Sequence, residues 1–268
     1  MYTRLSSLVL LLAAAGIVLA QGEKTAKLDP SGTWKWERDF NGNKIDYTLR
    51  LHCKDGKLTG TYKTVFENGG QPGLSDPVKL DNGKIDGDKI LFTVTRKFND
   101  NEFTIAYAGK LADDKITGNT EMDFGNGARE FEWTAKRVVT ADDVVGKWKL
   151  KFEGQNGPIE SKLTLAKDKE GDKLKGTYHS NYFGDNPIME IAIKDNKLSF
   201  VVEIKNDNGE FSIKYRAEPR GDTMTGVMVA NFGGQERETP FACAREPEPK
   251  DKGAVNDDED EEDDDEDE

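Results

Sequence analysis

Apolar and polar residues alternate with period two along almost the whole chain, and no stretch carries the stripe spacing of an amphipathic helix. In Tyr47-Thr48-Leu49-Arg50-Leu51-His52-Cys53 and in Phe103-Thr104-Ile105-Ala106-Tyr107, every second side chain falls on one face of an extended strand. The alternation predicts strands near 32–40, 46–53, 58–66, 78–85, 89–98, 102–111, 115–124 and 129–137. It predicts a second set near 146–153, 159–167, 173–182, 187–194, 197–205, 210–218, 223–232 and 236–245. Between the runs stand Asn41-Gly42, Asp55-Gly56, Asn82-Gly83, Asp86-Gly87, Asn126-Gly127, Asn156-Gly157 and Asn208-Gly209, pairs that accept the positive φ of tight hairpin turns.

The two sets are copies of one unit. Gly32-Thr33-Trp34 opens the first and Gly146-Lys147-Trp148 the second, and Leu58-Thr59-Gly60-Thr61-Tyr62 is answered by Leu174-Lys175-Gly176-Thr177-Tyr178. The offset then settles at 108 residues, matching Phe92 with Phe200, Tyr107 with Tyr215, Gly118 with Gly226 and Arg137 with Arg245. Eight hairpin-linked strands in each unit of about 105 residues fit an all-β protein of two tandem up-and-down antiparallel barrels, a form that leaves no free edge. A two-sheet sandwich for each unit is the alternative. The units span 31–138 and 139–245, follow a polar lead-in at 21–30, and abut through the short junction 138–145.

An eight-stranded barrel is just wide enough to be filled by its own side chains or to hold one small ligand. The inward phase supplies aromatic bulk and hydroxyl groups for either outcome. Candidate lining residues are Trp36, Tyr62, Thr64, Tyr107 and Trp133 in the first unit, and Tyr178, Ser180, Phe200, Tyr215 and Met228 in the second. Tyr182 also falls on the inward phase. Leu150 and Phe241 stand where the first unit has Trp36 and Trp133, so the second interior is expected to be less crowded and the better place for a guest.

Charge divides the chain. Residues 246–268 hold 15 acidic residues and two lysines, which accounts for the whole net charge of -13. The remainder, 1–245, balances 36 acidic against 36 basic residues, so nothing points to a nucleic-acid groove or a basic membrane face. The acidic tail, with 12 consecutive carboxylates at 257–268, has nothing to bury and is expected to be disordered. It is read as a solubilising tail, or as one that loosely gathers Ca²⁺ or docks on a basic surface. At the other end, Arg4, the apolar run Leu8–Ala15 and Val18-Leu19-Ala20 read as a signal peptide over 1–20, which implies a secreted or periplasmic location and no transmembrane segment after cleavage.

Chemistry is sparse. His52 and His179 both fall on the outward phase, no Gly-x-Ser-x-Gly elbow is present, and the acidic pairs Asp86/Asp88 and Asp113/Asp114 sit at turns. Asp81-Asn-Gly-Lys-Ile-Asp breaks the spacing of a calcium loop, and glycine-rich phosphate loops are missing. Neither an enzymatic function nor a cofactor or metal is expected. Cys53 and Cys243 allow one disulfide, but each follows the apolar phase of a different unit, which favours burial as free thiols.

The Gly-x-Trp of each first strand and the Arg that ends each eighth strand resemble the calycin superfamily of lipocalins, fatty-acid-binding proteins and avidins. By that resemblance Trp34 with Arg137, and Trp148 with Arg245, close one end of each barrel as structural residues. The pairs Tyr62/Thr64 and Tyr178/Ser180 resemble the third strand of avidins, where the Tyr and the hydroxyl residue bond biotin. The first strand departs from that pattern: Trp36 and Phe40, or Leu150 and Gly154, stand where avidins carry Asn and Ser, so the polar donors for a ureido group are absent. Taken with the signal-like segment and the sparse chemistry, the resemblance implies a non-enzymatic exported protein whose barrels hold a small apolar or aromatic ligand. A packed module that presents its surface or tail to a cell-envelope or matrix partner is the alternative.

Overall fold

Antiparallel hairpins follow one another from Gly32 to Arg245, as the alternation requires. A computed structural model describes residues 28–67, 69, 74–98, 101–123, 127–154, 157–169, 173–206, 209–232 and 235–247. The signal peptide read at 1–20, most of the acidic tail, and Asn126, Asn156 and Asn208 of the turn pairs lie outside the described residues.

The first barrel comprises β1 (Gly32–Phe40), β2 (Asn43–Lys54), β3 (Lys57–Phe66), β4 (Val78–Lys79), β5 (Asp81–Asp86), β6 (Lys89–Phe98), β7 (Asn101–Ala112), β8 (Lys115–Asp123) and β9 (Ala128–Val138). β4 and β5 are one interrupted strand, and pairing of β2 with β3 and of β1 with β9 closes an eight-stranded ring. A single helical turn, α1 (Ala141–Val144), connects to the second barrel. That barrel comprises β10 (Gly146–Gly154), β11 (Gly157–Lys167), β12 (Leu174–Ser180), β13 (Gly184–Lys194), β14 (Lys197–Asn206), β15 (Gly209–Arg220), β16 (Thr223–Phe232) and β17 (Gln235–Arg245), closed by β10 on β17. Among the described residues, no helix is long and apolar enough to cross a membrane.

Local chemistry explains the turns. Asn41-Gly42 and Asp55-Gly56 have φ of 53° and 79°, and 52° and 78°, the twist that tight hairpins need. Asn82-Gly83 departs from the expected role. It lies inside β5, where the register slips between Asp81 and Lys84, so the positive φ of Asn82 serves a β-bulge and not a turn. Glu190, at the 108-residue offset, makes the matching bulge in β13 with φ 51°. The strand expected over 173–182 also ends early. Ser180 accepts bonds from the Tyr182 and Phe183 amides, the chain turns, and Tyr182 is 70% exposed instead of facing inward.

Each barrel encloses its own core. Trp34, Leu49, Tyr62, Phe92, Tyr107 and Trp133 are buried in the first, and Trp148, Leu163, Tyr178, Phe200, Tyr215 and Phe241 in the second. Burial of each such side chain stabilises the fold by about 1.5–3 kcal/mol. Part of the aromatic stack is reproduced in both copies. Phe92 lies flat on Tyr107 at 4.6 Å and Phe200 on Tyr215 at 4.6 Å, while Trp133 and Phe241 meet those tyrosines edge-on at 5.2 and 5.4 Å.

The barrels abut through polar contacts. The Asn196 side chain accepts the Val139 amide and donates to the Arg137 carbonyl, both at 3.0 Å. Asp114 of the first barrel binds Arg220 of the second, and His52 lies 3.5 Å from Asp222. Gly221 has φ 59° and sits so close to Ser31 that an added Cβ would meet its side chain at 2.2 Å, which fixes a glycine there.

Candidate functional site

The closed ends come first, because they set where an opening can be. In each barrel the three residues that precede Gly-x-Trp fold over the end and are gripped by the terminal arginine. Arg137 donates from Nε to Asp114 at 2.9 Å, from one terminal nitrogen to the Ser31 carbonyl, and from the other to the Asp29 carbonyl at 2.7 Å. Its plane lies 4.3 Å over Trp34, whose indole donates to the Pro30 carbonyl. Arg245 repeats this with Asp222, Val145, Asp143 and Trp148, the last at 4.1 Å, and the Trp148 indole donates to Val144. Gly32 and Gly146 have φ of 120° and 132°, and a Cβ on either would strike the arginine at 2.8 or 2.6 Å. Arg137 over Trp34, and Arg245 over Trp148, thus tie down the chain that enters each barrel, and the lead-in and the junction are equivalent caps.

The other end of the first barrel is open at a seam. β1 pairs with β9 only at Thr33, Trp34 and Lys35, and the strands part at Trp36. A cavity of about 460 Å³ enters there, lined by Trp36, Tyr47, Tyr62, Ile105, Tyr107, Met122 and Trp133, with Glu37, Arg38, Glu130 and Glu132 at its rim. Trp36 stacks flat on Tyr47 at 4.9 Å and stands 5.1 Å from Trp133. Tyr107 donates its hydroxyl to Tyr62 at 2.8 Å. Burial pushes both of these phenols well above the usual tyrosine range, so they stay neutral and act as hydrogen-bonding groups. At the rim the Arg38 guanidinium lies 4.0 Å over the Phe131 ring.

Four of the five sequence candidates in this barrel, Trp36, Tyr62, Tyr107 and Trp133, thus converge on one space. Thr64 does not join them: it is buried, and its hydroxyl donates to the Leu74 carbonyl. Tyr47 and Phe131 were not among the candidates. Tyr47 had a readable signal, since it shares the inward phase of Leu49 and Leu51 and sits directly across from Trp36.

In the second barrel Tyr178, Ser180, Phe200, Tyr215 and Met228 all face the interior and are buried. Leu150 and Ser161, paired across β10 and β11, occupy the register positions of Trp36 and Tyr47. The bulk is smaller, yet the seam is longer, since β10 pairs with β17 from Trp148 through Lys151. Phe152, Phe183 and Phe211 pack against the core, with Phe183 and Phe211 edge-on at 5.5 Å. The aromatic cavity described above therefore belongs to the first barrel, whereas residue size alone pointed to the second. The Tyr178 and Tyr215 rings are 6.0 Å apart, and the hydroxyls of Ser161 and Tyr215 are buried without a hydrogen-bond partner among the described residues.

Reactive groups are placed elsewhere. His52 and His179 are both exposed on the outer faces, the latter 2.7 Å from Asp185. Asp114 is engaged by two arginines and Asp88 by Lys110. Cys53 and Cys243 lie in different barrels and are not joined by a disulfide, and burial pushes Cys243 up to about 12. Among the described residues no group of three or more His, Cys, Asp or Glu is arranged to hold a metal ion.

No protein-family model matches the chain, and no curated protein does. Among solved structures it is similar to a protein of unknown function from the DUF3598 family of Nostoc punctiforme PCC 73102, with 9% identity over 81% of this chain and 96% of that one. The TM-score of that match is 0.27, too low to carry an argument about fold or function.

Proposed function

We propose that the protein is an exported, non-enzymatic binding protein whose first barrel holds one small apolar or aromatic ligand through the open seam beside Trp36. The observation that carries this reading is the convergence of Trp36, Tyr47, Tyr62, Tyr107 and Trp133 on a cavity of about 460 Å³, a size suited to a small molecule. Flat aromatic walls favour a planar guest, and the Tyr62–Tyr107 hydroxyl pair offers one polar anchor deep in an apolar site. Three carboxylates against one guanidinium at the rim disfavour an anionic guest. The calycin resemblance supports the same reading, as does the signal-like sequence at 1–20 for export.

The test is a titration with neutral aromatic probes such as N-phenyl-1-naphthylamine, followed by probe emission and by quenching of tryptophan. Saturable binding that weakens at least tenfold in Trp36→Ala, with an unchanged circular dichroism spectrum, is the expected result. No saturable signal from any probe in the panel overturns the reading. N-terminal sequencing of protein recovered outside the cell, expected to begin at Gln21, checks export.

A further inference from the structure

A second concavity lies between the barrels and has a different chemistry. It measures about 730 Å³ and its walls carry five basic side chains, Lys35, Arg50, Lys63, Lys167 and Lys173, against the single carboxylate Asp142. On the first barrel the basic groups form a lattice on the outer face of three paired strands. Cross-strand register sets Thr33, Arg50 and Thr61 in one row and Lys35, Thr48 and Lys63 in the next. Each row thus alternates cation and hydroxyl at the spacing of neighbouring strands, about 4.8 Å. Asp142 from α1 reaches into this lattice and binds both Arg50 and Lys167, which hold its carboxyl below the usual range. Lys35, Lys63 and Lys173 have no ion-pair partner among the described residues. The facing wall, from the second barrel, sets the apolar Leu174, Ile191 and Ile193 beside Lys167 and Lys173.

A surface balanced at 36 acidic and 36 basic residues over 1–245 gives no reason for such a concentration of one sign. The opposite sign is concentrated in one place, the 12 consecutive carboxylates at 257–268, preceded at 254 and 255 by Ala and Val, the only aliphatic residues beyond 245. The exit path also fits. Arg245 ends β17 and grips the carbonyl of Asp143, next in sequence to the cleft's Asp142. The next residue, Glu246, donates its amide to the Lys147 carbonyl and lies 3.8 Å from Lys149. From there the 11 residues at 246–256 reach at most about 40 Å.

We propose that the cleft between the barrels is a polyanion site and that its occupant is this chain's own acidic segment 257–268, with Ala254 and Val255 against Leu174, Ile191 and Ile193. Tethering makes the contact intramolecular, with an effective concentration on the order of millimolar, enough to fill a weak electrostatic site. The contact is salt-sensitive, because its charges remain near solvent.

The experiment uses the full chain and a full-length variant in which all 12 acids at 257–268 are replaced by Asn or Gln. Both are labelled with an amine-acetylating reagent, and Lys35, Lys63 and Lys173 are read by mass spectrometry. The expected result is several-fold slower labelling of these lysines in the unmodified chain at low salt, with the difference gone at 0.5 M salt. A fluorescent peptide of residues 253–268 should bind the neutral-tail variant, and at least tenfold more weakly when Lys35→Gln, Lys63→Gln and Lys173→Gln are added. Equal labelling of the two chains at low salt overturns the proposal. So does protection that grows with protein concentration, which would place the segment on a second copy, and so does peptide binding indifferent to the three lysines.

Discussion

At each closed end one guanidinium holds a carboxylate, two carbonyls of the incoming chain and the face of an indole. Arg137 is 4% exposed, and burial lowers its pKa, yet three hydrogen bonds and Trp34 keep the charge satisfied. Arg137→Ala leaves the Ser31 and Asp29 carbonyls without their donor and is expected to cost about 2–4 kcal/mol, measured by urea unfolding. The Trp–Arg pairing was readable from two short motifs in matched order. Its carbonyl partners were not, because backbone acceptors leave no residue-type signal. The buried phenols make a second prediction. Tyr62, Tyr107 and Tyr215 resist ionisation mainly through burial, whereas the unfolded chain loses its phenolic protons near pH 10. The unfolded state then binds fewer protons than the folded one, so stability falls as pH rises above about 10. The share of the tyrosinate absorbance at 295 nm that these three residues contribute should appear together with loss of near-ultraviolet circular dichroism, and its rise before that loss would contradict the prediction.

Strands were the most legible level of the structure, since period-two alternation fixed every one of them to within a few residues. What it missed has a common cause. Asn82-Gly83 reads as a hairpin turn, yet the same positive φ serves a bulge when the strand resumes on the same side. Likewise the opening in the first barrel depends on where β1 and β9 part, which a comparison of side-chain volumes does not by itself reveal. Pairing stops at Lys35, just before Trp36, while the second barrel pairs through Leu150 and Lys151. Trp36→Leu, which copies the second barrel, removes the stack on Tyr47 and should cost about 1–2 kcal/mol. Slower amide exchange along β1 beyond Trp36 is expected with it, as the seam closes; unchanged exchange there would mean that Trp36 does not set the opening.

Between the barrels, Asp114 joins the closing arginine of one to Arg220 of the other, so the cap and the interface share a carboxylate. Asp114→Asn is expected to split a single calorimetric unfolding transition into two, with a loss of about 1–3 kcal/mol from the first barrel. Asp142 adds a pH dependence at the same junction. Lys167 and then Arg50 depress its pKa, so its contribution is present above the ordinary carboxylate value near 4 and is lost as pH falls below it. Small-angle scattering should therefore report a larger radius of gyration at pH 3 than at pH 6, with barrel circular dichroism retained. The two contacts that cross between the barrels, Arg50 with Asp142 and Asp114 with Arg220, were not legible in the sequence beyond the shortness of the junction, because they join residues 92 and 106 apart in the chain.

Each barrel also takes in and releases the chain at one end, with Trp34 opposite Arg137 and Trp148 opposite Arg245 on neighbouring antiparallel strands. Tension applied along the polypeptide would therefore peel β1 from β9 one hydrogen bond at a time, instead of shearing many together. Such a barrel yields at low force unless something bars the first step. The arginine clamp sits at that step, holding the carbonyls of 29 and 31 to the carboxylate of 114 in one copy and those of 143 and 145 to that of 222 in the other. In a chain under load, the two guanidiniums are the latches, and the order in which they fail sets the order in which the barrels open.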